Sequence, residues 1–86
     1  MQDIHLIYGI HVHNRANAAV HVQQLLTEYG CSIKTRLGLH NVADNMCSPS
    51  GVILLEMFGD RAECDTLKEK LDAVDGVEVQ VIEFKH

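Results

Sequence analysis

Eighty-six residues suffice for one domain with one core, so a second domain is excluded and a single unit over residues 1–86 is expected. Seven Lys plus Arg stand against 12 Asp plus Glu, a formal net charge of -5, which leaves no basic surface for direct nucleic-acid binding or for polybasic attachment to a membrane. Apolar residues are 47% of the chain and aromatics only 5%, with no Trp, so the chain should fold around an aliphatic core.

The longest uninterrupted apolar stretch, Val52 to Leu55, falls far below the roughly 20 residues of a bilayer-spanning helix. Met1-Gln2-Asp3 leads straight into an alternating pattern, without the basic and apolar regions of a secretory signal. A cytoplasmic location is therefore expected. Cys31, Cys47 and Cys64 are odd in number and widely spaced, which fits free thiols in a reducing compartment.

Ile4, Leu6, Tyr8, Ile10 and Val12 recur at every second position, the period of a strand with one face in the core. Asn14 is the expected cap of a helix from about Arg15 to Tyr29, whose Ala18, Ala19, Val22, Leu25, Leu26 and Tyr29 share one side, and Gly30 the expected left-handed stop. A second strand sets Ile33, Thr35, Leu37 and Leu39 toward the core and Lys34, Arg36, Gly38 and His40 away from it. A polar loop, Asn41 to Gly51, follows.

Gly51 to Phe58 is short and β-branched at its start, the pattern of a central strand. Asp60 with Glu63 three residues later forms a capping-box signature. The helix behind it carries Cys64, Leu67, Leu71 and Val74 at helical spacing before Gly76. A last strand runs from Val77 to Phe84. The order βαββαβ predicts an α+β, ferredoxin-like sandwich: a four-stranded antiparallel sheet in order 4-1-3-2, with two helices on one face.

If the even-numbered residues of strand one face the helices, its open side shows His5, Ile7, Gly9, His11 and His13. Val52, Leu54, Glu56 and Phe58 join them from strand three, with Ile82 or Phe84 from strand four. So apolar a face is expected to be covered by a second copy, giving a homodimer or higher homo-oligomer. Lys34 and Arg36 are placed to pair with Glu56 across strands two and three, or Arg36 to grip an anion at the seam.

His11, His13 and His40 are expected to converge on the loop edge beneath Cys47. Three imidazoles and a thiol are the donor set of a four-coordinate site for Ni, Zn or Cu. The start of the first helix, with Arg15, adds free backbone N–H groups for an anionic effector. The ligand edge is thus His11, His13, Arg15, Arg36 and His40, and its metal form His11, His13, His40 and Cys47. His5, His21 and His86 are expected to be solvated, and Cys31 and Cys64 to be buried small residues. Cys47 with His40 is the one candidate nucleophile and base, but no third group orients them, and no phosphate loop or nucleophile elbow is present. Catalysis is not expected.

Asn14-Arg15, Leu26-Thr27-Glu28-Tyr29-Gly30, Arg36-Leu37-Gly38-Leu39, and Lys70-Leu71 followed by Gly76-Val77 resemble the small iron-only hydrogenase system regulators over nearly the whole chain. That family is similar in fold to ACT domains and to the nickel-binding C-terminal domain of the nickel-responsive regulator, modules that oligomerise and sense small ligands or metal. The resemblance implies a regulatory or ligand-sensing module. Two other readings stand beside it: a metal-binding module, and a structural interaction domain that docks a larger enzyme.

Overall fold

The computed structural model describes residues 4–13, 17–40 and 51–85, with the backbone alone at 39 and 40. Alternation produces the expected strands: β1 (Leu6–Val12), β2 (Ile33–His40), β3 (Gly51–Met57) and β4 (Val77–Glu83). They form one antiparallel sheet in the order β2-β3-β1-β4, the anticipated order read from the other edge. Two helices, α1 (Ala18–Glu28) and α2 (Arg61–Asp72), complete the ferredoxin-like βαββαβ sandwich.

The register of β1 is as its period requires. Leu6, Tyr8, Ile10 and Val12 lie at 3% exposure or less and pack with Leu55, Met57 and Val79. Ala18, Val22 and Leu26 of α1 and Cys64, Leu67 and Leu71 of α2 close the core from the helical side. Each fully buried aliphatic side chain in this layer contributes about 1.5–3 kcal/mol.

α2 begins as the sequence indicates. The Asp60 carboxylate accepts a hydrogen bond from the Ala62 N–H at 2.9 Å, satisfying one of the donors that a helix start leaves unpaired. Its exit is closed by Gly76, whose φ of 87° few other residues adopt. The first helix departs from expectation. It starts at Ala18, because Asn17 holds a left-handed φ of 70° that no right-handed helix can continue through. Asn14 and Arg15 lie outside the described residues. At the other end Gly30 does not supply a left-handed stop; it opens a 3-10 turn, Gly30–Ser32, that leads into β2. Cys31 is exposed in that turn rather than buried.

The larger correction concerns β2. Ile33 pairs with Met57, but Thr35 pairs with Glu56, the very next residue of β3, so Lys34 is the extra residue of a β-bulge. One inserted residue reverses the facing of everything after it. Thr35 and Leu37 therefore stand on the open face, opposite Glu56 and Leu54, while Arg36 and Gly38 fall in phase with Leu55 and Ile53 on the helical side. The position of Leu39 opposite Val52 continues the open-face phase, and that of His40 opposite Gly51 the helical one. Leu37 is 52% exposed instead of buried.

Candidate functional site

β1 is the central strand from which the site is built, with β3 on one side and β4 on the other. Antiparallel pairing brings three segments to the end of β1: the start of β3 opposite Val12 at Gly51, the end of β2, and the start of β4 opposite Val12 at Val77. His11 occupies the last open-face position of β1, flanked by Val52 and by Glu78. His13 follows just beyond the strand. Its backbone N–H donates to the Gly76 carbonyl at 2.7 Å, which holds the residue against the entry to β4.

Two residues apart on an extended backbone, the two histidines share one face. Their rings meet edge to face, with centroids 4.3 Å apart and planes at 84°. His11 Nδ1 and His13 Nε2 are separated by 3.3 Å, a distance at which one nitrogen donates and the other accepts. One ligating atom from each of His11, His13 and Glu78 lies within 4.8 Å of the other two. Gln80, two residues along β4 on the same face, donates its amide to Glu78 Oε2 at 2.9 Å. Two imidazole nitrogens and an oriented carboxylate are thus gathered at the water-accessible end of the sheet.

The expected site residues divide sharply. His11 and His13 are brought together. Arg36 is not part of this group: the bulge carries it to the helical side, where its guanidinium donates to the Gln23 side chain of α1. Lys34 alone makes the expected pairing, 3.9 Å from Glu56, whose carboxylate also accepts from the Thr35 hydroxyl at 3.0 Å. The backbone position of His40 is in phase with Arg36 rather than with His11. Arg15 and Cys47 lie outside the described residues, and so does His86. His5 stands at the far end of β1, edge-on to Phe84 at 5.6 Å, and His21 is exposed on α1.

Glu78 was missed in the sequence, although the signal was present. The predicted strand order made β4 an antiparallel neighbour of β1, and such a neighbour must begin where β1 ends. That rule alone places the only acidic residue at the start of β4 beside His11.

Elsewhere the open face carries apolar side chains around Thr35, Glu56 and Gln80. Ile7 pairs with Ile82, Gly9 with Leu54, and Leu54 in turn with Leu37. Ile82 is 55% and Phe84 51% exposed. Among the described residues no helix is long and apolar enough to cross a membrane.

No protein-family model matches the chain, and no curated protein does. The backbone arrangement is nevertheless the ACT-like, ferredoxin-like βαββαβ fold. Among solved structures, the chain is similar to the uncharacterized protein TM1266 from Thermotoga maritima, at 26% identity and a TM-score of 0.82, over 98% of this chain and 100% of that one. It is similar to the ACT domain from GTP pyrophosphokinase of Chlorobium tepidum, at 19% identity and a TM-score of 0.70, over 94% of this chain and 100% of that one. The C-terminal domain of the MgtC protein from Mycobacterium tuberculosis has a TM-score of 0.61 at 13% identity, over 98% of this chain and 89% of that one. The last two likenesses speak to the fold alone.

Proposed function

We propose that the chain is a small regulatory, ligand-sensing module of the iron-only hydrogenase system regulator kind, which works in the cytoplasm as a homodimer and acts by binding rather than by catalysis. The motifs at both helix ends and in β2, together with the ACT-like fold, support the family reading. One observation carries the assembly: the bulge at Lys34 sets Leu37 beside Leu54, and with the pair Ile7 and Ile82 in the adjacent row each of the four strands contributes an apolar side chain to one diagonal strip of the open face.

A second copy is the occupant that this strip favours. The polar groups among it are already satisfied within the chain, Glu56 by Lys34 and Thr35. An isologous two-fold contact would set apolar rows against one another and bury no unpaired charge. The ligand edge around His11 and His13 would then lie at the rim of the seam.

Sedimentation equilibrium tests this. The wild-type chain is expected to sediment as a dimer, and Leu37→Lys with Ile82→Lys as a folded monomer, because both positions are solvent-accessible in the single protomer. A wild-type monomer at concentrations well above micromolar would exclude the second copy and leave the face to a different protein.

A further inference from the structure

We propose that His11, His13 and Glu78 form a three-ligand site for a divalent transition metal of the Zn²⁺ type, with the fourth position open to water or to a small ligand. The inference deepens the sensing reading by naming a class of effector, and it rests on that reading for its biological meaning. The site itself stands on geometry.

Zn–N bonds of about 2.0–2.1 Å place two nitrogens of one tetrahedral ion about 3.3–3.4 Å apart. His11 Nδ1 and His13 Nε2 are 3.3 Å apart. Replacing the shared proton by a metal therefore requires little movement of either ring. The third donor needs more: a Glu78 oxygen within 4.8 Å of both nitrogens must draw in, and an accessible side chain with three rotatable bonds can do so.

The backbone is prepared for this. His11 is fixed by ladders on both sides, through Val52 and Glu78. His13 is tied to Gly76. Ligands borne on paired strands keep their spacing better than ligands on a free loop. Gln80 supplies the outer contact that oriented ligands ordinarily have, since its amide donates to one carboxylate oxygen and leaves the other for the ion.

The donor chemistry selects the ion. Two imidazoles and one carboxylate suit borderline divalent cations such as Zn²⁺ or Co²⁺, whereas Mg²⁺ and Ca²⁺ prefer oxygen shells. Three protein ligands leave the coordination shell unfinished, so the bound ion would present an exchangeable position at the rim of the open face.

The test uses the full chain carrying no affinity tag. Equilibrium dialysis against Zn²⁺ should show one ion per chain, and Co²⁺ should give the visible bands of a tetrahedral site. His11→Ala, His13→Ala and Glu78→Gln should each weaken binding by at least about tenfold, while Cys31→Ser with Cys47→Ser should leave it unchanged. Circular dichroism confirms that each variant is folded. Binding that is unaffected by the His and Glu variants, or that disappears with the thiols, overturns the assignment, as does a wild-type chain that retains no Zn²⁺. Sedimentation in chelator separates the two readings: a dimer that binds no metal removes only this site, and a monomer that binds Zn²⁺ through these residues removes only the pairing.

Discussion

The Tyr8 hydroxyl donates to the Cys64 carbonyl across 2.7 Å, joining the centre of β1 to the first turns of α2 inside the core. Tyr8 is 1% exposed and Cys64 fully buried. Burial holds the Tyr8 phenol far above its ordinary range, with the neighbouring Cys64 and Asp65 adding to the effect. Burial likewise raises the Cys64 thiol, reinforced by Asp65 and Asp60. Both groups are uncharged in the fold and resist ionisation there.

The consequence is alkaline lability. In the unfolded chain both acids release protons at their ordinary values, about 8.5 for a thiol and about 10 for a phenol, while the folded chain keeps them. Their contribution is fully present at neutral pH and is lost as pH rises, by up to about 1.4 kcal/mol per pH unit for each group. Urea unfolding followed from pH 7 upward should show a midpoint that falls above about pH 9. Tyr8→Phe should cost about 1 kcal/mol at neutral pH and flatten the fall above about pH 10. Parallel pH curves for wild type and Tyr8→Phe would show that the phenol carries none of this dependence.

The same burial governs thiol chemistry. Cys31 is exposed on the turn before β2, whereas the Cys64 Sγ sits 3.8 Å from the Phe58 carbonyl under α2. Labelling of the native chain with an alkylating reagent, read by mass spectrometry, should modify Cys31 freely. Cys64 should lag by about three orders of magnitude or more, because reaction there waits for opening of the core. Equal rates at the two residues would mean that α2 detaches readily from the sheet.

Most of the fold was legible because the core positions of β1, β3, β4 and α2 follow clean periods, and Asp60 and Gly76 mark the ends of α2 with chemistry that few other residues supply. The first helix was misread at its start because Asn14 and Asn17 are both plausible boundary residues, and composition does not reveal which one turns left-handed. In β2 the alternation of Ile33, Thr35, Leu37 and Leu39 is equally regular whether it points inward or outward. Ile33 does point inward and Leu37 does not. The half of the site on β1 was legible from His-x-His alone, while Arg36 left it through the bulge and Glu78 entered it through strand order.

That bulge makes the most discriminating prediction. Lys34 has no partner residue of its own in the ladder, since Ile33 and Thr35 already face the consecutive residues Met57 and Glu56. Deleting Lys34 should therefore leave Thr35, Leu37 and Arg36 opposite their present neighbours and convert β2 to a regular strand. The lost contact to Glu56 is long, at 3.9 Å, and its lysine is 64% exposed, so it counts for little. The deletion should cost about 1 kcal/mol or less in urea unfolding. Deleting Leu37 is a change of the same size with the opposite effect, because every later residue of β2 would be thrown onto the other face or out of register with β3. That variant should lose several times more stability. Equal costs for the two deletions, or a greater cost for Lys34, would place the phase change of β2 elsewhere, and Leu37 would no longer belong to the open face.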